Sequence, residues 1–177
     1  MPRSCSRISP LVLGLLVVSP GASAAAEPAR PDTAVAAPTP ERSPFLGRWE
    51  LDLTRMPSTY GPPPKRVVYA FSDIGSGMWL TTIDITAQDG SVRHMEVRYA
   101  RDGQAGKSSG DLSEGDSAAV GSPGGNVLVM SIAADKRLGS VRTYAISADG
   151  REMTEAAANV NGDGVPFVRN FHFRRIS

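Results

Sequence analysis

The sequence predicts an all-β fold, a single antiparallel up-and-down barrel of about 8–10 strands, and three observations lead there. Turn chemistry recurs along the chain, in Gly75-Ser76-Gly77, Gln88-Asp89-Gly90, Arg101-Asp102-Gly103, Ala148-Asp149-Gly150 and Asn161-Gly162-Asp163-Gly164. These residues tolerate the positive φ of tight hairpins. The segments between them have strand length and are rich in Val, Ile, Thr, Tyr and Phe, several with alternating apolar and polar side chains. No stretch sustains a helical period. So many antiparallel strands in one short domain favour closure, because a closed sheet has no exposed edge.

The N-terminal residues read differently. Residues 1–24 form an expected signal peptide: Arg3 and Arg7 with no acid, an apolar run from Leu11 to Val18, and a small-residue cleavage pattern at Ala22-Ser23-Ala24 or Ala24-Ala25-Ala26. That run is far shorter than the roughly 20 apolar residues that cross a bilayer, so no transmembrane segment is expected in the mature protein. The expected location is exported, periplasmic or secreted. Cys5 is the only cysteine, so cleavage leaves neither a disulfide nor a thiol nucleophile. Residues 25–44, with Pro28, Pro31, Pro38, Pro40 and Pro44 among Ala, Thr and Ser, read as a disordered Pro/Ala-rich linker. The domain then runs over residues 45–177. Within it 15 basic residues face 15 acidic ones, which gives no support to a nucleic-acid surface.

Strands are expected at Phe45–Leu53, Arg66–Ile74, Met78–Ala87, Ser91–Ala100, Asn126–Ala133, Ser140–Ser147, Arg151–Val160 and Val165–Arg175. In Ser91–Ala100, Met95, Val97 and Tyr99 take one face while His94, Glu96 and Arg98 take the other. In the last strand Phe167, Phe171 and Phe173 share a face, opposite His172. The Ser-, Gly- and Asp-rich segment Lys107–Gly125 reads as one short strand and a long loop.

The opening Phe45-Leu46-Gly47-Arg48-Trp49-Glu50-Leu51 resembles the Gly-X-Trp first strand of the calycins, the superfamily of lipocalins and fatty-acid-binding proteins. Asp52-Leu53, the turn Tyr60-Gly61-Pro62-Pro63-Pro64-Lys65 and the aromatic strand after it resemble a group of secreted bacterial lipocalin-like proteins, largely uncharacterised. The resemblance implies that Trp49, beside Gly47, closes one barrel end beneath an arginine from the end of the chain, with Arg174 the candidate and Arg175 the alternate. A guanidinium over an indole face is attractive by about 0.5–2 kcal/mol. The Thr-Asp-Tyr motif of typical lipocalins is absent, and Thr54–Lys65 is too short for a paired-helix lid. The Arg-X-Tyr element with which fatty-acid-binding proteins grip a carboxylate has a weak counterpart, Arg142-Thr143-Tyr144, outside the last strand.

Catalytic motifs fail on spacing. Gly103-Gln104-Ala105-Gly106-Lys107-Ser108 imitates a phosphate loop, but Arg101 stands where its first glycine belongs. Asn159, Asn161, Asp163 and Gly164 imitate a calcium loop whose bidentate Glu position holds Asn170. His94 and His172 are too few for a catalytic zinc, and His94 with Glu96 reads as a solvated charge pair. The chain is therefore not expected to be an enzyme, and neither a metal nor a cofactor is expected. The interior is the candidate site, with Tyr69, Phe71, Trp79, Met95, Val97, Tyr99, Met130, Tyr144, Phe171 and Phe173 as lining residues. For Met78–Ala87 the alternative face, Met78, Leu80 and Thr82, stays open. Aromatic and methionine side chains suit either a small hydrophobic ligand or a filled core. The leading expectation is a lipocalin-like binder of a small apolar ligand; the alternative is an envelope or extracellular interaction module, inhibitor-like, with a filled barrel.

Overall fold

The computed structural model describes residues 42–177, so the expected signal peptide and all but the end of the expected linker lie outside the described residues. Ten strands follow one another: β1 Gly47–Leu51, β2 Arg66–Gly75, β3 Met78–Thr86, β4 Val92–Ala100, β5 Asp102–Gly110, β6 Ser117–Gly124, β7 Val127–Ala134, β8 Arg137–Ile146, β9 Glu152–Val160 and β10 Pro166–Ile176. Each pairs antiparallel with its sequence neighbour, and β1 pairs antiparallel with β10, which closes the barrel. The fold is all-β and up-and-down, consistent with a calycin-like architecture. Two short 3-10 turns, Leu53–Arg55 and Ser58–Tyr60, occupy the β1–β2 connection. Among the described residues no helix is long and apolar enough to cross a membrane.

The hairpin turns explain the element order. Gly75, Ser76 and Gly77 all take positive φ between β2 and β3. Between β7 and β8 the two-residue turn Asp135-Lys136 also lies at positive φ, the twist that matches paired strands. This turn carries no glycine, and it lets β7 run on to Ala134 and β8 start at Arg137, both past the ends expected at this turn. Lys107–Gly125 departs most from expectation: it contributes the end of β5 and all of β6 rather than one short strand and a loop. β5 reads Asp-Gly-Gln-Ala-Gly-Lys-Ser-Ser-Gly and has no apolar alternation to announce it. Backbone pairing holds it instead, with Met95 opposite Gly110 and Val97 opposite Ser108. Glycine is required here, since a Cβ at Gly106 would lie 2.0 Å from the Arg98 carbonyl oxygen.

Inward faces follow the period of two. β2 turns Val67, Tyr69 and Phe71 inward, β3 Trp79, Thr81 and Ile83, and β4 Met95, Val97 and Tyr99. The alternative face of Met78, Leu80 and Thr82 is the less buried one. At one end the barrel is filled. Phe45 packs edge-on against Phe71, Phe71 against Tyr144, and Tyr144 against Tyr69, with Leu128 and Met153 also almost fully buried.

Candidate functional site

Trp49 sits at the filled end, fully buried, with its indole N–H donating to the Phe45 carbonyl at 2.8 Å. The guanidinium above it belongs to Arg175, 4.1 Å from the ring centroid, and not to Arg174. Strand register is the reason. Trp49 lies opposite Arg175 in the β1–β10 pairing, and directly paired residues share a face. Arg174 points the other way, is 63% exposed at its side chain, and approaches Asp52 at 3.9 Å. Arg175 also donates to the carbonyls of Leu46, Pro44 and Gly150, so it ties the chain entry to the β8–β9 turn. Gly47 belongs to the same closure, because a Cβ there would meet the Arg175 guanidinium at 2.8 Å. A second arginine, Arg101, covers the buried Trp79 ring at 4.1 Å.

The other half of the barrel is hollow. A cavity of about 650 Å³ opens between the β1–β2 connection, the β3–β4 turn and the start of β10. Pro62, Pro63 and Pro64, Gln88, Arg93, Phe167 and Arg169 stand around its mouth, and Val67, Ile85, Met95, Phe171 and Phe173 form its apolar walls. Four of the expected lining residues, Tyr69, Met95, Phe171 and Phe173, border it. Val97 and Met130 border a separate cavity of about 40 Å³ that Met95 and Arg142 also touch. Phe71, Trp79, Tyr99 and Tyr144 border neither. They belong to the packed end, because their positions along β2, β3, β4 and β8 lie beyond the level of Tyr69. Tyr99 is engaged there by Thr81, hydroxyl to hydroxyl at 2.7 Å.

The floor of the large cavity is polar. Arg142 and Glu155 point inward from β8 and β9, with residue exposures of 9% and 2%. Glu114, on the β5–β6 loop, meets Arg142 Nη2 at 2.5 Å. Arg142 Nη1 donates to the Tyr69 hydroxyl at 3.4 Å and lies 3.4 Å from Glu155. The Arg142 Nε is buried without a partner among the described residues. Burial pushes the Glu155 carboxyl above its ordinary value, against the opposing effects of the Arg142 charge and a hydrogen bond from Tyr69. Burial likewise raises Tyr69, and the neighbouring Glu155 charge adds to the rise.

None of these three polar groups was among the expected lining residues. For Arg142 and Glu155 the signal was parity, since Arg142 shares a face with Tyr144 and Ile146, and Glu155 with Met153 and Ala157; Glu114, on a loop, had none. Arg142 and Tyr144 of the Arg-X-Tyr element do both face inward, yet Glu114 already occupies the guanidinium.

The two histidines lie elsewhere. His94, on the outer face, bonds Asp84 at 2.6 Å through Nδ1 and Glu96 at 3.4 Å through Nε2. The hydrogen bond to Asp84, then that to Glu96, raises its pKa above 6.5. His172 is half-buried, on the face opposite Phe171 and Phe173. Among the described residues no group of three His, Cys, Asp or Glu side chains could hold a metal ion. No protein-family model matches the chain, and no curated protein matches it in sequence.

Proposed function

We propose that this is an exported, lipocalin-like binding protein that holds one small, largely apolar molecule in the open half of its barrel, and that it catalyses no reaction. The half-hollow interior carries the reading. A cavity of about 650 Å³ has the size of a small-molecule site, and its apolar walls above a few fixed polar groups have the usual composition of one. Export rests on the charged, apolar and small-residue pattern of residues 1–24. The Gly47–Trp49 opening and the Arg175 cover over Trp49 support the lipocalin-like assignment.

Titration with the neutral, solvatochromic dye Nile red tests the reading. Uptake with an emission blue shift is expected, and Ala157→Trp, which fills the cavity from β9, should weaken it by about tenfold or more. Dye uptake unchanged in this variant, or none by the parent protein, would count against a ligand cavity.

A second reading, a protein-interaction module, has one observation in its favour. The β9–β10 hairpin exposes Val160, Val165 and Val168 to 60%, 56% and 57%. Cross-linking in the native periplasm, with Val160 and Val168 both changed to Ser, tests it: a partner lost in the variant supports this reading, and no partner for the parent protein removes it.

A further inference from the structure

The cavity floor holds more negative charge than positive. Among the described residues Arg142 is the one guanidinium there, and two carboxylates face it, Glu114 at 2.5 Å and Glu155 at 3.4 Å. One cation balances only one of them. Glu114 makes the short contact, and the other terminal nitrogen of Arg142, Nη1, lies 3.4 Å from both the Tyr69 hydroxyl and Glu155. Glu155 is left with the longer contact to the guanidinium, joined by a hydrogen bond from Tyr69, and at 2% exposure it has little access to water.

This arrangement sorts ligands by the charge of their polar end. A carboxylate reaching the floor would be the third anion around one guanidinium, so the Arg142-Thr143-Tyr144 element does not act here as its resemblance implies. A neutral hydroxyl would leave the imbalance as it was. A cation would remove it, and in a site poorly screened by water such a contact is stronger than at a surface. The walls next to Glu155 suit a cation as well, since the rings of Tyr69 and Phe173 lie 4.8 Å apart beside it and aromatic faces attract positive charge. The other two cations bordering the cavity stand at its mouth and are already engaged. Arg93 bonds Ser113 at 2.9 Å and lies 3.7 Å from Asp111, while Arg169 lies over the rings of Tyr60 and Phe167.

Resting on the ligand-binding reading above, the geometry points to an apolar amine as the ligand class: its ammonium group donates to the Glu155 carboxylate, and its hydrocarbon body lies against Val67, Met95 and Phe171 toward the mouth.

Isothermal titration of the purified protein with decylamine, 1-decanol and decanoate at about pH 7 tests this, the three probes sharing one chain length. Decylamine should bind about tenfold or more tightly than decanol, and decanoate most weakly, a ratio at the low end of the coupling measured for close charge pairs. Glu155→Gln should lower decylamine affinity by about tenfold and leave decanol within about threefold, the retained decanol binding showing an intact cavity. Decanoate binding as tightly as decylamine to the parent protein would overturn the amine assignment, whether or not the variant folds. Decanol binding without an amine preference would remove the amine and leave the binding reading in place. Binding of none of the three would remove both.

Discussion

The guanidinium of Arg175 lies 4.1 Å from the centre of the Trp49 ring, on the face that strand register assigns to both residues. This contact, with hydrogen bonds from Arg175 to Leu46, Pro44 and Gly150, joins the first strand, the last strand and the β8–β9 turn at the packed end. Arg175→Ala should therefore destabilise the barrel by about 2 kcal/mol, combining the loss of a cation–π contact with that of partly exposed hydrogen bonds. Arg174→Ala, next to it and facing solvent, should change stability by about 0.5 kcal/mol or less. Urea denaturation of the two variants checks the pair, and equal losses would show that the closure is not specific to Arg175.

β5 depends on close backbone approach rather than on side-chain burial. A Cβ at Gly106 would stand 2.0 Å from the Arg98 carbonyl oxygen, and neighbouring backbone is slow to yield. Gly106→Ala should cost about 2–3 kcal/mol and loosen the β4–β5 pairing. Gly121→Ala on β6, where a Cβ meets nothing within 4 Å, is the matched control and should be nearly neutral. Amide hydrogen exchange along β4 and β5 distinguishes the two: protection should fall in the first variant only.

Arg142 and Glu155 form a buried pair whose members need each other. Arg142→Leu leaves both Glu155 and the more exposed Glu114 without their cation and should cost about 3–5 kcal/mol at neutral pH, most of it from the buried Glu155. Adding Glu155→Leu should recover much of that loss, since an apolar pair demands no compensation. The pH dependence has a definite sign. The folded protein holds the Glu155 carboxyl above 4.5, so in the parent protein its contribution to stability declines as pH rises from about 4.5 through the folded value. The difference in stability between parent and Glu155→Gln, followed by thermal denaturation across that window, should shift toward the variant as pH rises.

His94 offers a surface test of the same kind. Hydrogen bonds to Asp84 and Glu96 favour its charged form, so its stabilising contribution is full below about pH 6.5 and is lost as pH rises through the elevated folded value. Imidazole NMR should give a midpoint above 6.5 for His94, and Asp84→Asn should bring it down. A midpoint unmoved by that substitution would show that the 2.6 Å contact does not govern the titration.

Much of the barrel was legible because hairpin turns are local chemistry. Gly75-Ser76-Gly77 and the Asp-Gly pairs mark their turns by residues that tolerate positive φ, and the strands between alternate wherever one face meets the core. β5 escaped because its inward face carries glycine and serine, so burial leaves no hydrophobic pattern there. The Asp135-Lys136 turn escaped because neither residue is glycine. At the closure the resemblance points to Arg174, with Arg175 the alternate, although Arg175 is the one that shares the parity of Phe171 and Phe173 and covers Trp49. Glu155 and Arg142 were hidden by their charge rather than by their position: parity puts them on the apolar face, yet a charged residue in an alternating strand reads as solvent-facing until a partner across the barrel is known.

By itself the amino-acid sequence determined the fold class, most of the hairpin turns, the neutral domain charge and the Trp49 opening, because each depends on residues close together in the chain. Tertiary structure decided which half of the barrel is filled and which is hollow, since cavity volume depends on how side chains from all ten strands meet. It also decided the chemistry of the floor. Glu114, Arg142 and Glu155 come from a loop and two strands, and only closure of the barrel brings two carboxylates to one guanidinium, Glu155 on its buried side and the part-exposed Glu114 on the other.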